Sequence, residues 1–335
     1  MAKYQIYGIG NALVDVEIEV TPEELTRLEI EKGVMTLVEE ERHDELMSAL
    51  TGAQHKRACG GSAANTVIGA AKFGAQSFYS CKVAADETGD FYAADLANEG
   101  VTTNLTEMER EEGKTGKCLV MVTPDADRTM NTFLGITGEL SAAQVDEAAL
   151  ADSEWLYIEG YLVSSPSARE AAIQTKAIAE KHQVKTALSL SDPNMVKFFG
   201  DGLKDMIGSG VDFLFSNEDE ALMYTGAETV DAAAEALKSV AKGFAITLGA
   251  EGALIWDGSE LHSIEPHKVE PVDSNGAGDL FAGAFLYGIT HGHSHKNAGR
   301  LASFASATLV TEFGPRLSAA GLEKVLARKE ELLNG

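Results

Sequence analysis

Positive charge is what this chain has least of. Against 52 Asp and Glu stand only 27 Lys and Arg, a formal net charge of −25. Nucleic acid and anionic membrane surfaces both need a cationic face, so neither is an expected partner. Cysteine is sparse too. Cys59, Cys81 and Cys118 form no CxxC unit, and an odd, scattered set implies reduced thiols in a cytoplasm. No segment offers the run of about 20 apolar residues that a membrane span needs. The opening MAKYQIYGIGNALVD has no long apolar region after a basic start, so no secretory leader is expected. Internal repeats and low-complexity linkers are also missing. What remains is 335 residues, 44% hydrophobic, which is enough to bury a sizeable core.

Short apolar runs alternate with helical patterns along most of the chain. Strands are expected at 4–10, 76–83, 155–161, 185–191, 212–217 and 244–249. Helices are expected at 62–73, 87–98, 167–182 and 232–241, with Gly74 and Gly100 placed as helix-ending glycines. This alternation predicts an α/β fold, a doubly wound, mostly parallel sheet flanked by helices. In such a sheet the ligand lies beyond the carboxyl ends of the strands. Residues 13–40 and 104–137 break the rhythm with β-branched and polar alternation. They read as hairpins forming a small β lid, inserted into a main domain of 1–12, 41–103 and 138–335. The HGHSH stretch at 291–295 has metal-like spacing, but a solvated turn between two helices is the reading adopted.

The stretch DSNGAGDLFAGAFL (273–286) concentrates the chemistry. A strand is expected around 267–272, and from Leu280 the apolar residues fall at helical spacing. The motif is therefore strand, glycine loop, helix. A helix N-terminus carries unpaired N–H groups and a positive dipole end, and small residues let an anion come close. Gly276, Ala277 and Gly278 can form an anion hole for phosphate oxygens. Asp279 follows at once. A carboxylate there is either a helix cap or a general base that takes the proton of an attacking hydroxyl, and the motif alone leaves both open. No lysine follows Gly278, which excludes a Walker loop. Phe281 stands where the dinucleotide fingerprint needs glycine.

Five motifs, in order along nearly the whole chain, resemble the ribokinase-like sugar and nucleoside kinases, the PfkB family. They are GIGNALVDV (8–16), GGSAANTVIGAAKFG (60–74), SNEDE (216–220), TLGAEGALIW (247–256) and DSNGAGD (273–279). GNALVD, the Asn of NGAGD and the stretch DADRTMNTFLG (125–135) look most like the adenosine kinase branch. The resemblance implies an ATP- and Mg²⁺-dependent kinase with Asp279 as base. It implies sugar contacts from Asn11, Asp15, Gly61, Asn65 and Asn275, and a phosphoryl-steadying role for Arg128. Asn217 and Glu220 match the NxxE motif that orders Mg²⁺ through water, while Thr247, Gly249 and Gly252 match the ATP base and ribose region. Asp273, with a loop near 312–314, matches a monovalent cation site, which would take K⁺. For a nucleoside base the lid offers Met130, Thr132 and Leu134, and the main sheet offers Tyr161, which as a plain core aromatic would do no such work.

One departure from the adenosine kinase pattern stands out, since Asn194 occupies the position where that branch tends to place a base-stacking Phe. The expected activity is transfer of the γ-phosphoryl group to the 5′-hydroxyl of a nucleoside, adenosine first. The alternatives are a sugar kinase acting on ribose, fructose or a phosphosugar, and a non-catalytic ligand sensor on the same scaffold. The expected partner is this small molecule alone, or with it a second copy of the chain as a homodimer.

Overall fold

The computed structural model describes residues 2–50, 54–125 and 127–335; Ala126, in the predicted lid segment, lies outside the described residues. In chain order the elements begin with β1 (Tyr4–Ile9), β2 (Leu13–Glu19), α1 (Pro22–Arg27), β3 (Met35–Leu37), α2 (Glu40–Ala49) and β4 (Gln54–Gly60). Then come α3 (Ser62–Phe73), β5 (Ser77–Ser80), α4 (Glu87–Asn98), β6 (Gly116–Val122), β7 (Arg128–Phe133) and α5 (Glu147–Ala151). The central part continues with β8 (Ser153–Glu159), α6 (Pro166–Lys181), β9 (Lys185–Ser189), α7 (Pro193–Ile207), β10 (Val211–Asn217) and α8 (Glu218–Thr225). The chain closes through α9 (Val230–Leu237), β11 (Ala241–Thr247), β12 (Ala253–Trp256), β13 (Leu261–Ile264), α10 (Ala277–Thr290), α11 (His295–Leu309) and α12 (Ala319–Asn334).

The main sheet has eight strands in the order β13-β12-β11-β10-β9-β8-β1-β5. From β11 to β5 every pairing is parallel, and β12 and β13 add an antiparallel hairpin at one edge. Side chains alternate across each strand and feed two cores. Ile6, Tyr157 and Phe213 join one cluster with Val67, Phe285 and Leu301 of α3, α10 and α11. Tyr7, Ile158 and Leu214 join the other with Ala172, Leu203 and Ala234 of α6, α7 and α9. Both sheet faces are thus covered by helices, as the alternation of the sequence predicts.

The second sheet, ordered β3-β7-β6-β2-β4, has its own small core of Val16, Ile18, Leu25, Leu46, Leu119 and Met121. It differs from the sequence expectation in its boundary. Strand β4, Gln54–Gly60, pairs antiparallel with β2, so this stretch of the predicted main domain belongs to the small sheet. Its residues are polar and small, and the pairing with β2 decides their state where propensity does not. The small sheet also carries two helices that alternation did not show. Helix α1 begins with a capping box between Thr21 and Glu24.

Two further expectations fail. Residues 267–272 form no strand: they follow the edge strand β13, and no strand pairs with them among the described residues. The HGHSH stretch is only partly a solvated turn, because His295 opens α11 and packs its ring 5.7 Å from Phe213 and 5.6 Å from Phe285. Among the described residues no helix is long and apolar enough to cross a membrane, and no group of three metal-ligating side chains is present.

Candidate active site

The site forms where the starts of α3 and α10 meet at the carboxyl ends of the main strands. Gly276 caps α10 with φ of 73°, a conformation suited to glycine, and a Cβ there would lie 2.4 Å from Pro315 O. The turn is therefore pressed against the 312–316 loop. Above Gly278 the position a Cβ would take is empty, so the first turn of α10 opens onto free space. The N–H of Ala277 departs from the expected role, since it donates to Ser274 O at 3.3 Å. The other N–H groups at this helix start are those of Gly276, Gly278 and Asp279.

Asp279 lies in that first turn. Its Oδ1 accepts from Ser62 Oγ at 2.7 Å and its Oδ2 from Asn65 Nδ2 at 3.2 Å. Ser62 and Asn65 are three residues apart in α3 and so share a face. Burial holds the Asp279 carboxyl above its ordinary value, while these hydrogen bonds and the charge of Arg128 pull the other way. A carboxylate capped by its own helix would bond to backbone N–H groups. This one is held instead by side chains of another helix and lines both clefts, so it is not spent on capping its own helix.

Two clefts join at this point. Ser62, Arg128, Ser191 and Asp279 line both. In the first cleft the polar end carries Asn11, Asp15, Gly61, Asn65, Asn275 and Glu159. Asn11 Oδ1 is buried and has no hydrogen-bond partner among the described residues, so it is available to a ligand hydroxyl. Gly61 caps α3 with φ of 94°, and a Cβ there would strike Asn11 O. Asp15, on β2, is 6% exposed, and its carboxyl is pushed well up by burial and by Glu17, against the pull of Arg316 and Arg128. Asn275 Nδ2 donates to Glu17 Oε1 at 3.3 Å, which ties the catalytic loop to the lid strand β2. The opposite wall is apolar. The lid supplies Leu13, Met35, Leu37, Met130 and Leu134, with Thr132 and Cys118 between them, and Tyr161 stands on the main-sheet side. Thr132 Oγ1 is turned to Cys118 Sγ at 3.3 Å.

The second cleft is lined by Arg128, Asn217, Glu220, Thr247, Gly276 and Gly278. Asn217 and Glu220 form a reciprocal capping box on α8. Glu220 Oε1 accepts from Asn217 Nδ2 at 2.8 Å and Oε2 from Asn217 N at 3.0 Å, and Asn217 Oδ1 accepts from Glu220 N at 2.8 Å. Glu220 is nearly buried, and desolvation pushes its carboxyl up to about 7. Burial works against the charge of Arg128, but Tyr161, Asp279, Asp192 and Glu220 surround it and hold it charged.

Not every expected residue reaches the clefts. Gly249 and Gly252 shape the turn between β11 and β12 and line neither cleft. Asp273 is fully buried, with Oδ1 accepting from Asn275 N and Oδ2 from Gly314 N, both at 2.8 Å. It pins the catalytic loop to the 312–316 loop. Asn194 lies outside both clefts, and its Nδ2 donates to Met35 O of the lid at 3.4 Å. Several residues of the site escaped sequence reasoning: Ser191 lines both clefts, the lid adds Leu13, Met35, Leu37 and Cys118, and three more hold neighbours in place. Ser62 holds the Asp279 carboxylate. Glu159, fully buried at the end of β8, accepts from Asn11 N and Ala63 N at 2.7 Å each, and burial pushes it up to about 7. Arg316 bonds to Asn65 from behind. Ser62 lies inside the GGSAANTVIGAAKFG motif and Glu159 is the lone acidic residue of the strand expected at 155–161, whereas Arg316 lies in a stretch with no local pattern.

Comparison with known proteins agrees with this architecture. The model of the pfkB family carbohydrate kinases matches residues 34–320. A probable sugar kinase from Rhizobium etli superposes with a TM-score of 0.92 at 34% identity, covering 99% of this chain and 100% of that one. Adenosine kinase from Sinorhizobium meliloti gives 0.91 at 34% identity, covering 98% and 100%. A ribokinase from Haemophilus influenzae is 31% identical over 280 residues, 80% of this chain and 86% of that one. This chain belongs to the pfkB family of carbohydrate kinases and is a phosphotransferase that acts on an alcohol group.

Proposed function

We propose that the protein transfers the γ-phosphoryl group of ATP to the 5′-hydroxyl of a nucleoside, adenosine in the first instance. The carrying observation is the two-sided character of the first cleft. One end offers acceptors and donors that suit a ribose, and the other offers an apolar wall built by the lid with Tyr161 facing it. A free pentose would leave that wall without a complement, whereas a base on the ribose would cover it. A phosphosugar would need a cation at the acceptor end, and among the described residues Arg128 is the only basic side chain lining the cleft.

The donor cleft suits a nucleotide phosphate chain. Its small-residue turn, the helix start and Arg128 supply positive potential in an otherwise acidic protein. The residues present also fit Mg²⁺. With no set of three ligating side chains among the described residues, a cation would be held by phosphate oxygens and water, with Glu220 and Asn217 ordering that water. When bound, Mg²⁺ supplies charge neutralisation across the phosphates. Asp279 takes the proton of the attacking hydroxyl. Asp15 and Asn65 hold the sugar so that this hydroxyl points at Asp279. Gly276 and Gly278 present N–H groups to the transferred phosphoryl oxygens, and Arg128 offsets the charge that develops there. The lid strands close the cleft to water, which limits ATP hydrolysis. The three cysteines are unbridged and buried, which supports a reducing compartment such as the cytoplasm.

The test is ADP release with ATP and Mg²⁺ against adenosine, inosine, guanosine, cytidine, ribose, fructose and fructose phosphates, with Asp279→Asn as the blank. Preference for a purine nucleoside supports the reading. Turnover with a sugar alone overturns the nucleoside assignment and leaves the base in place. The ribokinase and probable sugar kinase among its relatives make that the outcome to exclude first.

A further inference from the structure

Arg316 follows the loop that presses on the catalytic turn, and it is used by nothing in the mechanism above. Its side chain is 13% exposed and fully committed. Nη1 pairs with Asp95 Oδ2 of α4 at 2.8 Å and lies 3.9 Å from Oε1 of Glu99, the C-cap of that helix. Nη2 donates to Cys59 O, at the end of β4. Nε donates to Asn65 Oδ1 at 3.3 Å. Asn65 in turn donates from Nδ2 to Asp279 Oδ2 at 3.2 Å.

The direction of this chain follows from hydrogen-bonding chemistry. A guanidinium has donors only, and a side-chain amide has a carbonyl on one side and an NH₂ on the other. With Nε aimed at it, Asn65 must turn its oxygen to Arg316 and its NH₂ to Asp279. The opposite rotation would set donor against donor on one side and the amide oxygen against a carboxylate on the other. With Ser62 on Oδ1 and Asn65 on Oδ2, each oxygen of the base receives one donor and keeps a lone pair for the substrate. The same loop also sets the anion hole. Gly314 N bonds Asp273 Oδ2, and Pro315 is in contact with the Gly276 turn. We propose that Arg316 is a positioning residue of the reaction: through Asn65 it orients the donor that holds Asp279, and its loop keeps that carboxylate in register with the anion hole.

This inference rests on Asp279 acting as base. The test is a double-mutant cycle on the full-length protein, read as kcat and ATP KM, with whichever acceptor the panel selects. Arg316→Met is expected to lower kcat roughly 10- to 100-fold and to leave ATP KM within about twofold. Added to Asn65→Ala, it should cost no more than about a further twofold, because its route to Asp279 is already cut. Asp95→Asn breaks the ion pair yet leaves the contact with Asn65, and kcat should stay within about threefold of wild type. Effects of Arg316→Met and Asn65→Ala that multiply overturn the proposal. So does an Asp95→Asn variant as slow as Arg316→Met, which would make the arginine a structural prop. Should Arg316→Met not fold, Arg316→Lys carries the same cycle, since it keeps a cation near Asp95 but has no nitrogen at the Nε position. A sugar acceptor would refute the nucleoside reading while the cycle runs unchanged with that sugar, so the two failures are distinct.

Discussion

The two clefts that meet at Asp279 are built by different means. The donor cleft is made by strand ends, helix starts and backbone of the main domain, with Asn217, Glu220, Thr247 and the Gly276 turn locked by mutual hydrogen bonds and close packing. The acceptor cleft is part main domain and part lid, and its lid part is mostly aliphatic and thioether side chains, with Asp15, Cys118 and Thr132 among them. Rigid dipoles suit a step whose charge distribution is the same for every acceptor. An adaptable apolar wall suits the choice of acceptor. On the proposed function, the main domain would house the chemistry and the lid the choice of acceptor, and among the described residues Arg128 is the one lid residue that lines both clefts.

This division is broken most directly at the junction. Asp279→Asn should lower kcat by about 10³-fold or more while ATP affinity, measured by titration calorimetry, changes little. A comparable loss in ATP binding would mean that the carboxylate serves the donor cleft instead. Arg128→Gln should lower kcat by about 10²-fold, since one half-buried cation at developing phosphoryl charge is worth that much. If its effect falls on acceptor KM alone, Arg128 belongs to the acceptor cleft and the two clefts share no lid residue.

The same contrast explains what could be read in the sequence. Helices α3 and α4 lie at the predicted 62–73 and 87–98, because each is periodic and bounded by a helix-ending glycine. The main strands lie within a few residues of expectation for the same reason of regular alternation. The base, the anion turn and the NxxE box are local motifs, and local motifs survive in one dimension. The acceptor side was legible where it lies in the same motifs, since Asn11, Asp15, Gly61, Asn65 and Asn275 all line the first cleft, but not where the fold joins distant segments. Glu159 and Arg316 act from the end of β8 and from a loop 251 residues beyond Asn65, and only the packed fold brings them together. Strand β4 was missed because its pairing with β2, rather than its composition, makes it a strand. The box at Thr21 and Glu24 was a missed local signal for α1.

On the acceptor side the effects should be smaller and confined to binding. Tyr161→Ala and Met130→Ala should each raise the KM for a nucleoside about 10-fold, a loss near 1.4 kcal/mol, with ATP KM unchanged. Ribose, lacking a base, should be nearly indifferent to both. Equal effects on nucleoside and ribose would show that the apolar wall shapes the cleft without contacting a base.

The smallest effect separates the clefts by pH. Each holds one buried carboxyl pushed to about 7, Glu159 on the acceptor side and Glu220 on the donor side. Both values lie above the ordinary 4.5, so the folded state binds these protons more tightly than the unfolded chain. Their contribution to stability is fully present below pH 4.5, declines as pH rises and is lost above about 7. The loss is at most about 3 kcal/mol per group. Melting temperatures recorded between pH 5 and 8 should fall less steeply for Glu159→Gln than for wild type, because the amide has no proton to lose. Adding ATP with Mg²⁺ should flatten the wild-type slope further through Glu220, whose cleft would then hold a cation that favours the ionised form. If the nucleotide flattens Glu159→Gln no more than it flattens wild type and Glu220→Gln alike, the buried charge of the donor cleft is not coupled to the cation, and the water-mediated role of Glu220 fails.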